Sequence, residues 1–167
     1  KKLEYDLPQI PSTQFFIGRN GSGKSCALWT MLNDGYIYKG KSIFDEAVIF
    51  LGTMDAVDSY KQLPIKNIIV LHEYNNKDFE EYLTDLAKHQ MERMEKKKRK
   101  LNILLVFDDF LGNNLLQAVS KEKGSPLEML SIKARHEYNA SLFFCTQTFR
   151  HKSFSSPTLR NNVNYYL

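Results

Sequence analysis

The residues with the most chemistry in them are Gly18-Arg19-Asn20-Gly21-Ser22-Gly23-Lys24-Ser25, which fit the pattern G-x-x-x-x-G-K-[ST]. Glycines at these spacings let the backbone curl so that its N–H groups point inward onto phosphate oxygens. Lys24 then reaches the terminal phosphates, and the Ser25 hydroxyl is a ligand for Mg²⁺. With Cys26, the next residue of the following helix, these positions form the candidate nucleotide-binding set. A second feature is Asp108, which ends the apolar run Ile103-Leu104-Leu105-Val106-Phe107. A carboxylate at the end of a strand beside a phosphate loop holds the Mg²⁺ shell, so Ser25 and Asp108 are the metal candidates. Asp109 stands where many P-loop ATPases carry a glutamate that orients and deprotonates the attacking water, and would do that work with a shorter side chain. Gln147 follows another apolar run, Ser141 to Thr146. If that strand lies between the phosphate-loop strand and the Asp108 strand, its amide faces the γ-phosphate.

Positioning such groups requires strands that end in loops and helices that begin from them. Gln14-Phe15-Phe16-Ile17 reads as a strand entering the glycine loop, and Lys24 to Asn33 as a helix stopped at Gly35. Ala47–Leu51 and Ile68–Leu71 have strand length and apolar content. From Lys77 to about Lys100, Phe79, Tyr82, Leu83, Leu86, Met91 and Met94 recur near helical spacing. The pairs Glu92/Lys96 and Glu95/Arg99 support one long helix there. Its terminal run Lys96–Lys100 complements a helix dipole, and that solvated-end reading is preferred to a nucleic-acid contact. Asn102 to Phe107 has the continuous apolar character of a strand buried on both faces. Ser125-Pro126-Leu127-Glu128 supplies an N-cap, a first-turn proline and a capping-box glutamate for a helix reaching about Tyr138. Strands at Ser141–Thr146 and Val163–Leu167 complete the pattern. Alternation of this kind predicts an α/β fold, a mostly parallel central sheet flanked by helices, in one domain over residues 1–167.

Composition sets the outer limits. The chain has 167 residues with 43% apolar and 25% charged types, which excludes disordered and collagen-like classes. Lys and Arg number 23 against 19 Asp and Glu, an excess that permits a polyanionic partner without requiring one. No uninterrupted apolar run exceeds five residues, so no membrane span is expected. Two cysteines, Cys26 and Cys145, fit a reducing, intracellular setting better than a disulfide framework.

Several P-loop classes are compatible with these residues. Asp109-Phe110-Leu111-Gly112 fits the D-x-x-G of GTPases, but the guanine-reading N-K-x-D has no counterpart at the right place. A small-molecule kinase would need an arginine-bearing lid, and a nucleotide-binding scaffold is compatible with the missing glutamate after Asp108. A nucleic-acid motor accounts for more of the chain, because Tyr138 to Leu167 contains no Asp or Glu but carries Arg150, Lys152 and Arg160.

Three stretches in order, Ile103 to Asp109, Ala134-Arg135-His136-Glu137 through Thr146-Gln147, and Leu159-Arg160-Asn161-Asn162, resemble the genome-packaging ATPases of poxviruses and other large DNA viruses. These belong to the FtsK/HerA group of P-loop motors. With the loop at Gly18–Ser25 the resemblance covers nearly the whole chain, although Gly52 to Lys100 matches only in layout. It implies a RecA-like P-loop NTPase fold, ATP and Mg²⁺ as cofactors, a homo-oligomeric ring, and translocation of double-stranded DNA into a capsid whose proteins are possible partners. It also implies an intracellular location, at the viral assembly site in the host cytoplasm or with the virion. Lys24, Ser25, Asp108, Asp109 and Gln147 match the family's nucleotide motif, acidic pair and polar sensor. Arg135 is the first candidate for an arginine finger acting on a neighbouring subunit, and Arg160 the second.

Overall fold

The computed structural model describes residues 7–52, 57–109, 125–147 and 161–167. The D-x-x-G residues after Asp109, together with Arg150, Lys152 and Arg160, lie outside them. Among the described residues six strands form a parallel sheet: β1 (Thr13–Ile17), β4 (Glu46–Leu51), β5 (Asn67–Leu71), β6 (Ile103–Asp108), β7 (Ala140–Thr146) and β8 (Tyr165–Tyr166). Their order across the sheet is β5-β4-β6-β7-β1-β8. A small antiparallel hairpin, β2 (Ile37–Tyr38) with β3 (Lys41–Ser42), stands apart.

The four central strands are apolar at nearly every position because helices cover both faces. Strand alternation divides them into two cores. One takes Phe15, Val48, Phe50, Leu105, Phe107 and Phe144 against helix α3 (Asn76–Glu95) and helix α4 (Pro126–Lys133). The other takes Phe16, Ile49, Leu51, Leu104, Val106, Phe143 and Cys145 against α1 (Lys24–Thr30) and α2 (Val57–Lys61). Within the first, Phe50, Phe107, Phe144 and Phe15 occupy one register row and stack ring on ring at 4.8 Å between successive centroids. Each such pair contributes about 0.5–1.5 kcal/mol beyond its buried area. A one-residue slip of any strand would break the row, so the ladder locks the register on which the site depends.

Helix ends depart from expectation in instructive ways. The long helix closes at Glu95, not near Lys100: Lys97 adopts a left-handed φ of 54°. Its amide donates to Met94 O (2.9 Å), while that of Lys98 donates to Arg93 O (2.8 Å). These two bonds form a Schellman motif, with lysine in the place usually given to glycine. Gly35 is not the expected left-handed stop. It ends a π-helical turn, Met31–Gly35, where a Cβ would sit 2.9 Å from Leu7 Cδ1 and that side chain would have to move aside. Ser125 caps α4 as its sequence implies, accepting from the Glu128 amide at 3.3 Å. The helix then finishes in a second π turn, Ala134–Tyr138. The last strand pairs only over Tyr165–Tyr166, and the β2–β3 hairpin and α2 had no clear signal in the sequence.

Candidate nucleotide site

All the strands of the main sheet run the same way, so their C-terminal ends share one edge, and the glycine loop leaves β1 at that edge. Its entry is fixed by the Gly18 amide, which donates to Thr146 O of β7 at 3.1 Å. Ser22 N donates back to Arg19 O at 3.1 Å, closing a turn. Gly21 and Gly23 take φ values of 73° and 83°, a region costly for residues with a Cβ. Gly18 meets a different limit, since a Cβ there would stand 2.4 Å from Ser22 Oγ. From Gly23 the chain passes directly into α1, whose first bond runs from Ala27 N to Gly23 O (2.8 Å). Arg19 to Gly23 and Cys26 are exposed, whereas Lys24 is buried and its Nζ donates to Arg19 O at 3.1 Å.

Strand parity places the carboxylate. Phe107 points to the α3/α4 core, so Asp108 points to the opposite face, where α1 and α2 pack. There Ser25 Oγ donates to Asp108 Oδ1 at 2.9 Å. The second oxygen, Oδ2, accepts from Tyr60 Oη of α2 at 2.8 Å. Cys145 lies beside Asp108 in the β6–β7 register. Burial pushes the Cys145 thiol well above its usual range, with Asp108 and Asp109 adding to the effect and Lys24 opposing it. Tyr60 is raised still further, first by burial and then by Asp108, so its hydroxyl remains a proton donor.

Asp109 follows the strand end in a left-handed conformation (φ 47°) and is half-buried. β7 does lie between β1 and β6, which meets the condition set for Gln147, and Gln147 is exposed immediately beyond Thr146. Arg135 is different. It is exposed in the π turn that precedes β7, at the N-terminal edge of the sheet and away from the loop. Arg160 lies outside the described residues. The structure thus brings Lys24, Ser25 and Asp108 together, sets Asp109 and Gln147 on the same edge, and leaves Arg135 on the other.

Tyr60 escaped the sequence reading, because α2 has only five residues and carries no motif. The residues present suit a magnesium nucleotide. Two glycines hold the loop curled, one ammonium lies within it, and the cation donors are a hydroxyl and a carboxylate, hard oxygens of the kind Mg²⁺ selects. Among the described residues no cluster of three or more His, Cys, Asp or Glu can hold a metal.

A glycine loop entering α1 from β1, a carboxylate on the second strand over and an intervening strand that ends just before Gln147 define a P-loop domain. The family model of the poxvirus A32 protein matches residues 4–167, and the chain belongs to that family. Among solved structures it is similar to the cytoplasmic domain of EssC, at TM-score 0.59 and 18% identity, over 94% of this chain and 33% of that one. It is similar also to a protein described as an ATPase, at 0.52 and 15%, over 91% and 61% of the two chains. A third likeness is to the cytoplasmic domain of the Thermomonospora curvata type VII secretion ATPase EccC, at 0.52 and 11%, over 90% and 18%. At these identities the likeness is one of fold, and the chain spans only about a third of the EssC domain. No curated protein matches it.

Proposed function

We propose that this domain hydrolyses ATP to drive double-stranded DNA through a homo-oligomeric ring, packaging a viral genome as a motor of the FtsK/HerA group. The observation that carries this reading is the convergence of Lys24, Ser25 and Asp108 on one sheet edge in a member of the A32 family. In this assignment the loop amides from Gly18 to Cys26 bind the phosphates and Lys24 neutralises the terminal ones. Ser25 and Asp108 hold Mg²⁺, which supplies charge neutralisation when bound. Asp109 accepts a proton from the attacking water, Gln147 orients that water, and the bond from the γ-phosphorus to the bridging oxygen breaks.

Arg135 is assigned to the neighbour's site. Strand β7, seven residues long, separates it from its own phosphate loop by about 20 Å at ~3.3 Å per residue, too far for a contact within one chain. Arg160 is the alternative finger. Mixing Arg135→Ala with Asp109→Asn subunits tests the choice: a finger acting in trans restores roughly a quarter of sites in a random one-to-one ring. A mixture no more active than the mean of its parts moves the assignment to Arg160.

Lys96–Lys100 and the acid-free segment after Glu137 suit contact with DNA phosphates, independent of base sequence and weakened by salt. Capsid proteins at the cytoplasmic assembly site, or in the virion, are the proposed further partners. The decisive experiment measures ATP turnover with and without double-stranded DNA. A motor is stimulated. Phosphate transfer to a small acceptor would indicate a kinase, preference for GTP a switch, and binding without turnover a scaffold.

A further inference from the structure

We propose that Tyr60 is the positioning residue for the metal-side carboxylate, its hydroxyl holding Asp108 Oδ2 so that Oδ1 is the oxygen presented to Ser25 and the cation. The proposal rests on the assignment of Ser25 and Asp108 to Mg²⁺.

The terminal torsion of an aspartate is broad and nearly two-fold, so a strand fixes where the carboxylate is but not which oxygen faces the metal. Here two donors from different helices fix it. Ser25 Oγ on α1 bonds Oδ1 at 2.9 Å, and Tyr60 Oη on α2 bonds Oδ2 at 2.8 Å. The two bonds depend differently on the cation. A Ser25 oxygen that takes up Mg²⁺ through a lone pair can keep its hydrogen on Oδ1, but its position is then set jointly with the cation. Tyr60 is not a metal ligand, so its bond to Oδ2 is the restraint on the carboxylate that does not depend on the cation. Its own position is determined: the side chain is 1% exposed, packed in the α1/α2 core. The neighbouring Ser59 carbonyl accepts from Trp29 Nε1 at 2.9 Å, tying α2 to the helix that starts at the phosphate loop. Outer-shell partners of this kind commonly account for about 10–100-fold in metal affinity.

Tyr60→Phe keeps the ring and removes only the hydroxyl. Calorimetric binding of the non-hydrolysable analogue AMP-PNP, with Mg²⁺ titrated from zero, is the readout. The expected result is an unchanged affinity without Mg²⁺ and about a tenfold rise in the Mg²⁺ concentration giving half of the Mg²⁺-dependent gain. Trp29→Phe, which loosens α2 but leaves the phenol, should keep the wild-type Mg²⁺ curve. Coincident curves for Tyr60→Phe and wild type would overturn the positioning role. So would an equal loss of affinity with and without Mg²⁺, which is what general damage to the fold produces. If wild-type binding itself gains nothing from Mg²⁺, the assignment of Ser25 and Asp108 fails and the Tyr60 role falls with it.

Discussion

The two edges of the sheet use polar side chains in opposite ways. At the N-terminal edge they tie the chain together. Gln90 Nε2 donates to Leu101 O (2.9 Å) and Tyr138 O (2.8 Å), while Gln90 Oε1 accepts from Leu101 N (2.9 Å). Asp45 takes both Nη1 and Nη2 of Arg99 at 2.7 Å and the Asn102 amide at 2.8 Å. Asn102 and Asn139 bond to one another and to neighbouring carbonyls. At the C-terminal edge Asp108 is paired with Ser25 and Tyr60, but the groups around it are held loosely: Lys24 rests on one loop carbonyl, and Gln147 and Arg19 to Gly23 are exposed. A polar group that already has its full set of partners stabilises the fold, whereas one held by a replaceable contact can be given to a ligand. The contrast assigns stability to one edge and chemistry to the other, and each substitution below is expected to affect only one of them.

The largest effect belongs to Lys24→Ala. On the proposed reading Lys24 meets the terminal phosphates, and removing its ammonium should lower ATP turnover by ~10³ or more. Because Lys24 donates to a single carbonyl, the unfolding free energy should change by no more than about 1 kcal/mol. Asp109→Asn comes next, with kcat down by ~10²–10⁴ and nucleotide binding retained. Asparagine tolerates the left-handed backbone at this position, so the variant isolates the loss of the base from any strain. A loss of stability in either variant matching its loss of activity would erase the contrast between the edges.

Gln90→Leu is the converse test. Its side chain is buried, and the substitution leaves Leu101 N and Tyr138 O without their partner. Unfolding free energy should fall by about 3 kcal/mol, measured by urea titration, with activity per folded molecule unchanged.

Much of the geometry of the candidate site was legible in the chain because its signals are local. Loop spacing, a strand ending in Asp108 and one ending before Gln147 lie within runs of a few residues, and alternation alone puts Asp108 on the face opposite Phe107. The Tyr60–Asp108 bond spans 48 positions and arises only when α2 docks, so no window of sequence contains it. Arg135 was placed from the resemblance, but its distance from its own loop follows from β7 running parallel to β1, which only the sheet reveals. The close of α3 at Glu95 was hidden because Lys97 lacks the glycine signature of a left-handed cap.

The Asp45–Arg99 pair predicts a modest pH effect at the structural edge. Burial of Asp45 raises its pKa, but the Arg99 bonds and the Asn102 amide outweigh that, and the net value lies below the usual carboxylate range. A depressed folded pKa contributes stability that is present above about pH 4 and is lost as pH falls through the folded value. With Arg99 63% exposed, solvent screening limits the contribution to about 1 kcal/mol or less. Asp45→Asn should flatten that acid limb in unfolding curves below about pH 5 and leave turnover at neutral pH alone. A limb of unchanged steepness would show that other carboxylates govern acid sensitivity.

The smallest expected effect is a gain. Lys97 holds a left-handed φ of 54° at the end of α3, where a side chain bearing a Cβ costs about 1–2 kcal/mol relative to the right-handed region. Glycine removes that strain but adds about 0.5–1 kcal/mol of backbone freedom to the unfolded chain. The two Schellman bonds, from Lys97 N to Met94 O and Lys98 N to Arg93 O, involve only backbone and survive the change. Lys97→Gly should therefore stabilise by roughly 0.5–1 kcal/mol, seen as a higher denaturant midpoint with an unaltered slope. The same variant removes one positive charge from Lys96–Lys100. If that run contacts DNA, the salt dependence of DNA binding should decrease by about one phosphate contact while ATP turnover without DNA stays constant. Higher stability with an unchanged salt slope would confine Lys97 to the structural edge and take it out of the DNA surface.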